Sequence, residues 1–243
     1  MFNRTPPKTK EEMIARIKTI PEHRNTLDPF VTTLYDAFGF TVFMRSVIPC
    51  SGGEEVIKRV MEQIKPKRAV VFGTNRGVST ARVAQFCEEV HTFDVVDSDM
   101  TERIWGLLGL KNIVKHVIRD NAEKARIVAG LEFDFAFLDG DHERDYQTDF
   151  ELTKRCGAVL VHEYWPSSPV MAFMDSLTMG SLRVEGGNFA VWTASKVEDA
   201  PVSSEEAQGE PKPFVSPYDD PNAPKTPQKR GRRKTRAETD VGA

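Results

Sequence analysis

From residue 69 to residue 193, short apolar runs alternate with longer stretches whose apolar residues return every three or four positions. The runs fall at about 69–73, 90–96, 113–118, 133–138 and 157–162, and the stretches between them predict helices over 80–89, 100–108, 121–129 and 143–155. A strand covered on both faces reads as a continuous apolar run, whereas a helix lying on a sheet shows a single stripe. Strand and helix alternating at this spacing predict a largely parallel sheet with right-handed crossovers. Beyond Pro166 the pattern predicts a helix over 170–177 and then two strands, 182–185 and 188–193. Only Gly186 and Gly187 separate these two strands, so they are expected to form a hairpin and to add an antiparallel edge.

Ahead of this alternation the pattern is helical. Met13, Ile14, Ile17 and Ile20 share one face of a segment that Pro21 stops. Phe30, Val31, Leu34, Tyr35 and Phe38 form a stripe over about 28–40, which is either core packing or the underside of a lid. Ser51 and Glu54 have the spacing of a capping box, opening a helix that carries Val56, Ile57, Val60, Met61 and Ile64 up to Pro66. The expected organisation is an N-terminal helical extension (1–50), a Rossmann-like α/β domain with a doubly wound, mostly parallel sheet (51–195), and a tail (196–243).

Composition changes the picture mainly at that tail. In a chain of 243 residues with net charge -3, the stretch after Lys196 gathers prolines and acids, then a basic block at 225–236 running from Lys225 to Arg236. It has too little apolar surface to offset its ordering entropy and is expected to be disordered. Its basic block either contacts a nucleic acid or an acidic partner, or simply solubilises the chain. Cys50, Cys87 and Cys156 show no C-x-x-C spacing and read as reduced thiols, which suggests a cytoplasmic protein. No apolar run reaches the roughly 20 residues that span a bilayer, and the first residues lack the apolar core of a signal peptide.

The candidate chemistry lies where the predicted strands end. The first runs into Gly73-Thr74-Asn75-Arg76-Gly77-Val78-Ser79-Thr80, a glycine loop opening a helix, the usual setting of a nucleotide-like cofactor. The second ends at Asp94, about twenty residues after Gly73, a distance that suits an acid accepting from ribose hydroxyls. The third ends at Asp120 and Asn121, which either meet an adenine edge or, through Asn121, cap a helix. The fourth ends in Asp139-Gly140-Asp141-His142, where Asp141 and His142 are either catalytic or the start of a helix. His162 and Glu163 end the fifth, His162 being either functional or a core histidine.

These segments, together with Phe135-Ala136-Phe137-Leu138 before Asp139 and Gly157-Ala158-Val159-Leu160-Val161 before His162, resemble the class I S-adenosylmethionine-dependent methyltransferases. Within that superfamily the chain is similar to the branch with an Asp-Gly-x-His motif, which includes small-molecule and sugar O-methyltransferases. The resemblance spans about residues 51–193. It implies that Gly73, Thr74, Asn75, Gly77 and Ser79 lie around the methionine part of S-adenosylmethionine, that Asp94 holds the ribose, and that Asp120 and Asn121 lie near the adenine. It further implies that Asp139 sits near the methyl donor and that Asp139 and Glu163 are placed to bind Mg2+, as in some members of the branch. His142 or His162 would be the general base for a hydroxyl of a small-molecule acceptor. Two positions depart from the family pattern. Val71 stands where an acid usually engages the cofactor's amino group, and Glu163 replaces a common aspartate. The alternative is a catalytically degenerate Rossmann-like scaffold that binds its partner through the basic tail.

Overall fold

The computed structural model describes residues 12, 14, 15, 18, 28–39, 53–141, 144–186 and 188–194. The chain divides into two units, Met1–Lys196 and Val197–Ala243, and every described residue belongs to the first. Ser51, His142 and the tail with its basic block at 225–236 lie outside the described residues. Residues 12, 14, 15 and 18 are helical, in keeping with the predicted first helix.

Seven strands form one sheet: β1 Arg68–Phe72, β2 Glu89–Asp94, β3 Ile113–Val117, β4 Phe135–Leu138, β5 Ala158–Val161, β6 Ser181–Gly186 and β7 Phe189–Thr193. Their order is β3-β2-β1-β4-β5-β7-β6. The first five strands pair in parallel, and β7 pairs antiparallel with both β5 and β6. The predicted hairpin therefore exists, and its second strand is the one inserted next to β5, leaving β6 at the edge. Burial explains the choice: β7 is apolar and buried over Phe189, Ala190, Val191 and Trp192, whereas β6 is largely exposed.

The helices are α1 Pro29–Phe38, α2 Gly53–Ile64, α3 Val78–Ala84, α4 Asp99–Leu107, α5 Asn121–Ala129, α6 Tyr146–Thr153 and α7 Pro169–Asp175. Val56, Ile57, Val60 and Met61 of α2, with Val83 and Ala84 of α3, cover one sheet face at Val71, Val90, Phe137 and Leu160. Val128 of α5, Phe150 of α6, and Val170 and Met174 of α7 cover the other at Val70, Phe72, Phe93 and Val159. With both faces covered, β1, β4 and β5 are buried almost end to end, which is why they read as unbroken apolar runs. The stripe on α1 is core packing: Phe30, Val31 and Leu34 are buried against Val78, Ala81, Ile104 and Trp105. Asp28 caps α1 by accepting from the Phe30 N–H at 2.9 Å and also pairs with the buried Arg82 of α3 at 2.7 Å.

Three predicted elements are cut short, two at their ends and one at its start, each time where a side chain takes over backbone groups. α3 stops at Ala84 because the Asn112 amide donates to the carbonyls of Ala84 (2.9 Å) and Cys87 (2.8 Å). β2 turns away after Asp94, whose Oδ1 accepts from the Val96 N–H at 3.0 Å. α6 starts only at Tyr146, since Asp141 first builds a turn by accepting from the Arg144 N–H at 3.2 Å. Among the described residues no helix is long and apolar enough to cross a membrane.

Candidate active site

Because β1 lies between β2 and β4, the winding of the chain reverses there, and the crevice beyond the carboxyl ends of these strands is the natural ligand position of a doubly wound sheet. The glycine loop enters that crevice from β1. Gly73 has φ +92, and a Cβ there would lie 2.1 Å from the Asp139 carbonyl oxygen, so the loop runs hard against the end of β4. Gly77 has φ +80 and lies under Trp105, whose indole N–H donates to the Gly77 carbonyl at 2.9 Å.

Asp94 ties this loop to the end of β2. Its Oδ2 accepts from the N–H groups of Thr74 (2.9 Å) and Asn75 (2.7 Å), while Oδ1 holds Val96. Such charge-assisted bonds are about twice as strong as neutral ones. Beneath the loop the buried hydroxyls of Thr74 and Thr80 lie 2.7 and 3.2 Å from that of Thr92, satisfying one another in a polar cluster that sequence patterning does not signal. Ser79 is buried in the first turn of α3. Val71 is fully buried within the apolar cluster that α2 and α3 cover.

At the ends of β4 and β5 three side chains meet. His162 Nδ1 lies 3.0 Å from Asp139 Oδ1 and 3.6 Å from Glu163 Oε1, and its ring packs 4.9 Å from that of Phe189. Burial raises the Glu163 carboxyl above its usual range, with the His162 charge opposing this and the Asp139 charge adding to it. Glu163 has φ +65, a left-handed backbone that a non-glycine residue adopts at a cost of order 1–3 kcal/mol.

Asp120 and Asn121 sit at the start of α5. The cap is Asp120, whose Oδ1 accepts from the Glu123 N–H at 2.8 Å; Asn121 is the first helical residue and donates from Nδ2 to Asp145 Oδ1 at 2.9 Å. One turn further on, the buried Lys124 ammonium pairs with the buried Asp149 carboxylate of α6. Burial pushes Asp149 up to about 6 in spite of its partner. Nothing in the apolar pattern marks Lys124 as buried; only the four-residue spacing of Asp141, Asp145 and Asp149 hints at a shared acidic face. The Cys87 and Cys156 thiols are both raised to about 12 by burial and take no part.

Residues 70–164 match the family model of a methyltransferase domain. The fold is similar to that of an O-methyltransferase from Bacillus cereus solved in complex with SAH (TM-score 0.56, 13% identity, 76% of this chain and 100% of that one). It is also similar to TomG, an O-methyltransferase from Streptomyces achromogenes solved in complex with SAM (0.52, 15%, 73% and 96%), and to a methyltransferase from Geobacter sulfurreducens (0.50, 16%, 78% and 91%). A comparison with curated proteins found no significant match. The glycine loop after β1, the acid closing β2 and the parallel strands β2 to β5 thus fall within the segment that matches the methyltransferase-domain model, on a fold shared with solved methyltransferases.

Proposed function

We propose that the chain methylates a hydroxyl oxygen of a small-molecule acceptor, taking the methyl group from S-adenosylmethionine. The observation that carries this reading is the meeting of Asp139, His162 and Glu163 beside the glycine loop, at the crevice end of the sheet. The neighbours from Bacillus cereus and Streptomyces achromogenes, solved with SAH and SAM, support it. The Gly73–Gly77 backbone and Asp94 fit such a cofactor. Asp94 Oδ1 carries one N–H bond and keeps acceptor capacity for a ribose hydroxyl. The bound cofactor supplies an electrophilic methyl group on a sulfonium sulfur. His162 takes the proton of the acceptor hydroxyl. The Asp139 and Glu163 carboxylates, 3.0 and 3.6 Å from Nδ1, flank that side of the ring.

Magnesium fits this site poorly. It demands about six oxygens near 2.1 Å, whereas Asp139 and Glu163 both face an imidazole nitrogen that stands between them. Among the described residues no group of three acidic, histidine or cysteine side chains, this one included, has an arrangement that could hold a metal ion. The acceptor proton is therefore assigned to the imidazole alone.

The test is calorimetric titration of the full chain with S-adenosylhomocysteine, followed by transfer of labelled methyl from S-adenosylmethionine to a panel of small hydroxylated acceptors. Micromolar binding is expected, with His162→Ala binding normally but transferring methyl about 10²–10⁴-fold more slowly. Absence of binding heat with or without magnesium would overturn the reading.

A further inference from the structure

Two contacts join the first turns of α5 and α6. Asn121 donates to Asp145 at 2.9 Å, and Lys124 pairs with Asp149. Asn121 and Lys124 lie one turn apart on α5, and Asp149 lies one turn beyond Asp145, the residue that leads into α6, so the contacts are successive rungs between neighbouring helices. The inner rung is buried, with Lys124 4% and Asp149 3% exposed. It also reaches beyond the two helices. The Lys124 ammonium lies 5.1 Å from the ring centre of Phe72, the last residue of β1 before the glycine loop. The second oxygen of Asp149 lies 3.6 Å from where a Cβ on Gly140 would stand, in the turn that follows β4.

A buried ion pair is a poor way to gain stability, because desolvating two charges cancels most of their attraction, and apolar replacements of similar volume are often neutral or better. What it does supply is a fixed geometry. Asp149 is placed by Lys124, backs onto Gly140, and donates its N–H at 2.8 Å to the carbonyl of Asp145, whose own N–H donates to the Asp141 carbonyl at 3.2 Å. Asp141 and Asp145 both add negative charge around Asp149, and Lys124 is the cation that balances them. Without it, three acids four residues apart would repel one another directly behind the turn that carries Asp139.

We infer that the Lys124–Asp149 pair, with Asn121–Asp145 as its outer rung, is a clasp that positions the Asp139–Gly140–Asp141 turn for the methyl-transfer site. The role of that turn in the site rests on the function proposed above, whereas the clasp itself does not.

The test uses the full chain with Lys124→Met and Asp149→Leu combined, which removes both charges together, and, as a milder variant expected to fold, Asn121→Ala. Three quantities are read: the melting temperature, the amide exchange of Asp139 and Asp145 against that of Val90, and the affinity for S-adenosylhomocysteine. In the double variant the Asp139 and Asp145 amides are expected to exchange at least tenfold faster with Val90 unchanged, and affinity to fall at least tenfold. Asn121→Ala is expected to give the same pattern at smaller amplitude. Unchanged exchange in both variants, or equal acceleration of Val90, would overturn the clasp. Faster exchange with undiminished affinity would overturn its positioning role. Should the unmodified protein bind no S-adenosylhomocysteine, the proposed function fails, and exchange alone decides whether the clasp exists.

Discussion

At the scale of single residues, the least comfortable group in the described structure is Glu54. It is 3% exposed, and its Oε2 has no hydrogen-bond partner among the described residues. Burial raises it from 4.5 to about 7; Glu55 and Asp28 push in the same direction, while its own backbone N–H and Arg82 oppose. Because the folded-state value lies above the unfolded one, the stability this group contributes is fully present below about pH 4.5 and is lost as pH rises through 7. Glu54→Gln is therefore expected to raise the melting temperature at pH 8 and to leave it nearly unchanged at pH 5, as scanning fluorimetry at the two pH values would show. Asp94 is the opposite case, a carboxylate that accepts from three backbone N–H groups. Truncating it leaves those donors without their acceptor. Asp94→Ala is expected to cost about 1–3 kcal/mol in denaturant unfolding and to abolish binding of S-adenosylhomocysteine.

At the scale of elements, the glycine loop and α1 depend on close approach. Gly73→Ala forces a methyl group into the Asp139 carbonyl at a positive φ, and both consequences are backbone clashes that no rotamer change relieves. The loop or the end of β4 must move. The expected result is a loss of more than about 2 kcal/mol, read from the urea midpoint, together with loss of cofactor binding. In α1, Leu34 is fully buried between α3 and α4, behind the loop. Leu34→Ala is expected to cost about 2–5 kcal/mol by leaving a cavity. Arg82, held by Asp28 and stacked 5.0 Å from the Phe30 ring, joins the same helix to α3 electrostatically.

At the scale of the whole molecule, the sheet brings together residues separated by up to ninety positions in sequence, from Gly73 to Glu163, at one end of five parallel strands. A ligand held there bridges several strand ends at once, so its binding should stabilise the domain as a unit. A hundredfold excess of S-adenosylhomocysteine over its Kd is expected to add about 2.7 kcal/mol, visible as a rise of several degrees in the melting temperature. That rise should be the same with magnesium and with a chelator, because the Asp139 and Glu163 carboxylates already share the His162 ring.

Sequence by itself determined the strands and their direction. β1, β4 and β5 are covered on both faces, and such strands must be apolar throughout. It also determined that acids close β2 and β4, since strand ends are local features. Only the tertiary structure decided what those acids do. The Asp94 carboxylate is turned onto the amides of the glycine loop because β1 and β2 are neighbours. His162 stands against Asp139 because β5 pairs with β4, a relation between residues more than twenty positions apart that no local pattern encodes. Lys124 was the least legible of all. A lysine is normally a surface residue, and its burial follows from an acid supplied by another helix and a phenylalanine ring supplied by a strand. Periodicity records which face of an element is buried; a charge paired inside the fold is recorded only by the partner that the fold brings to it.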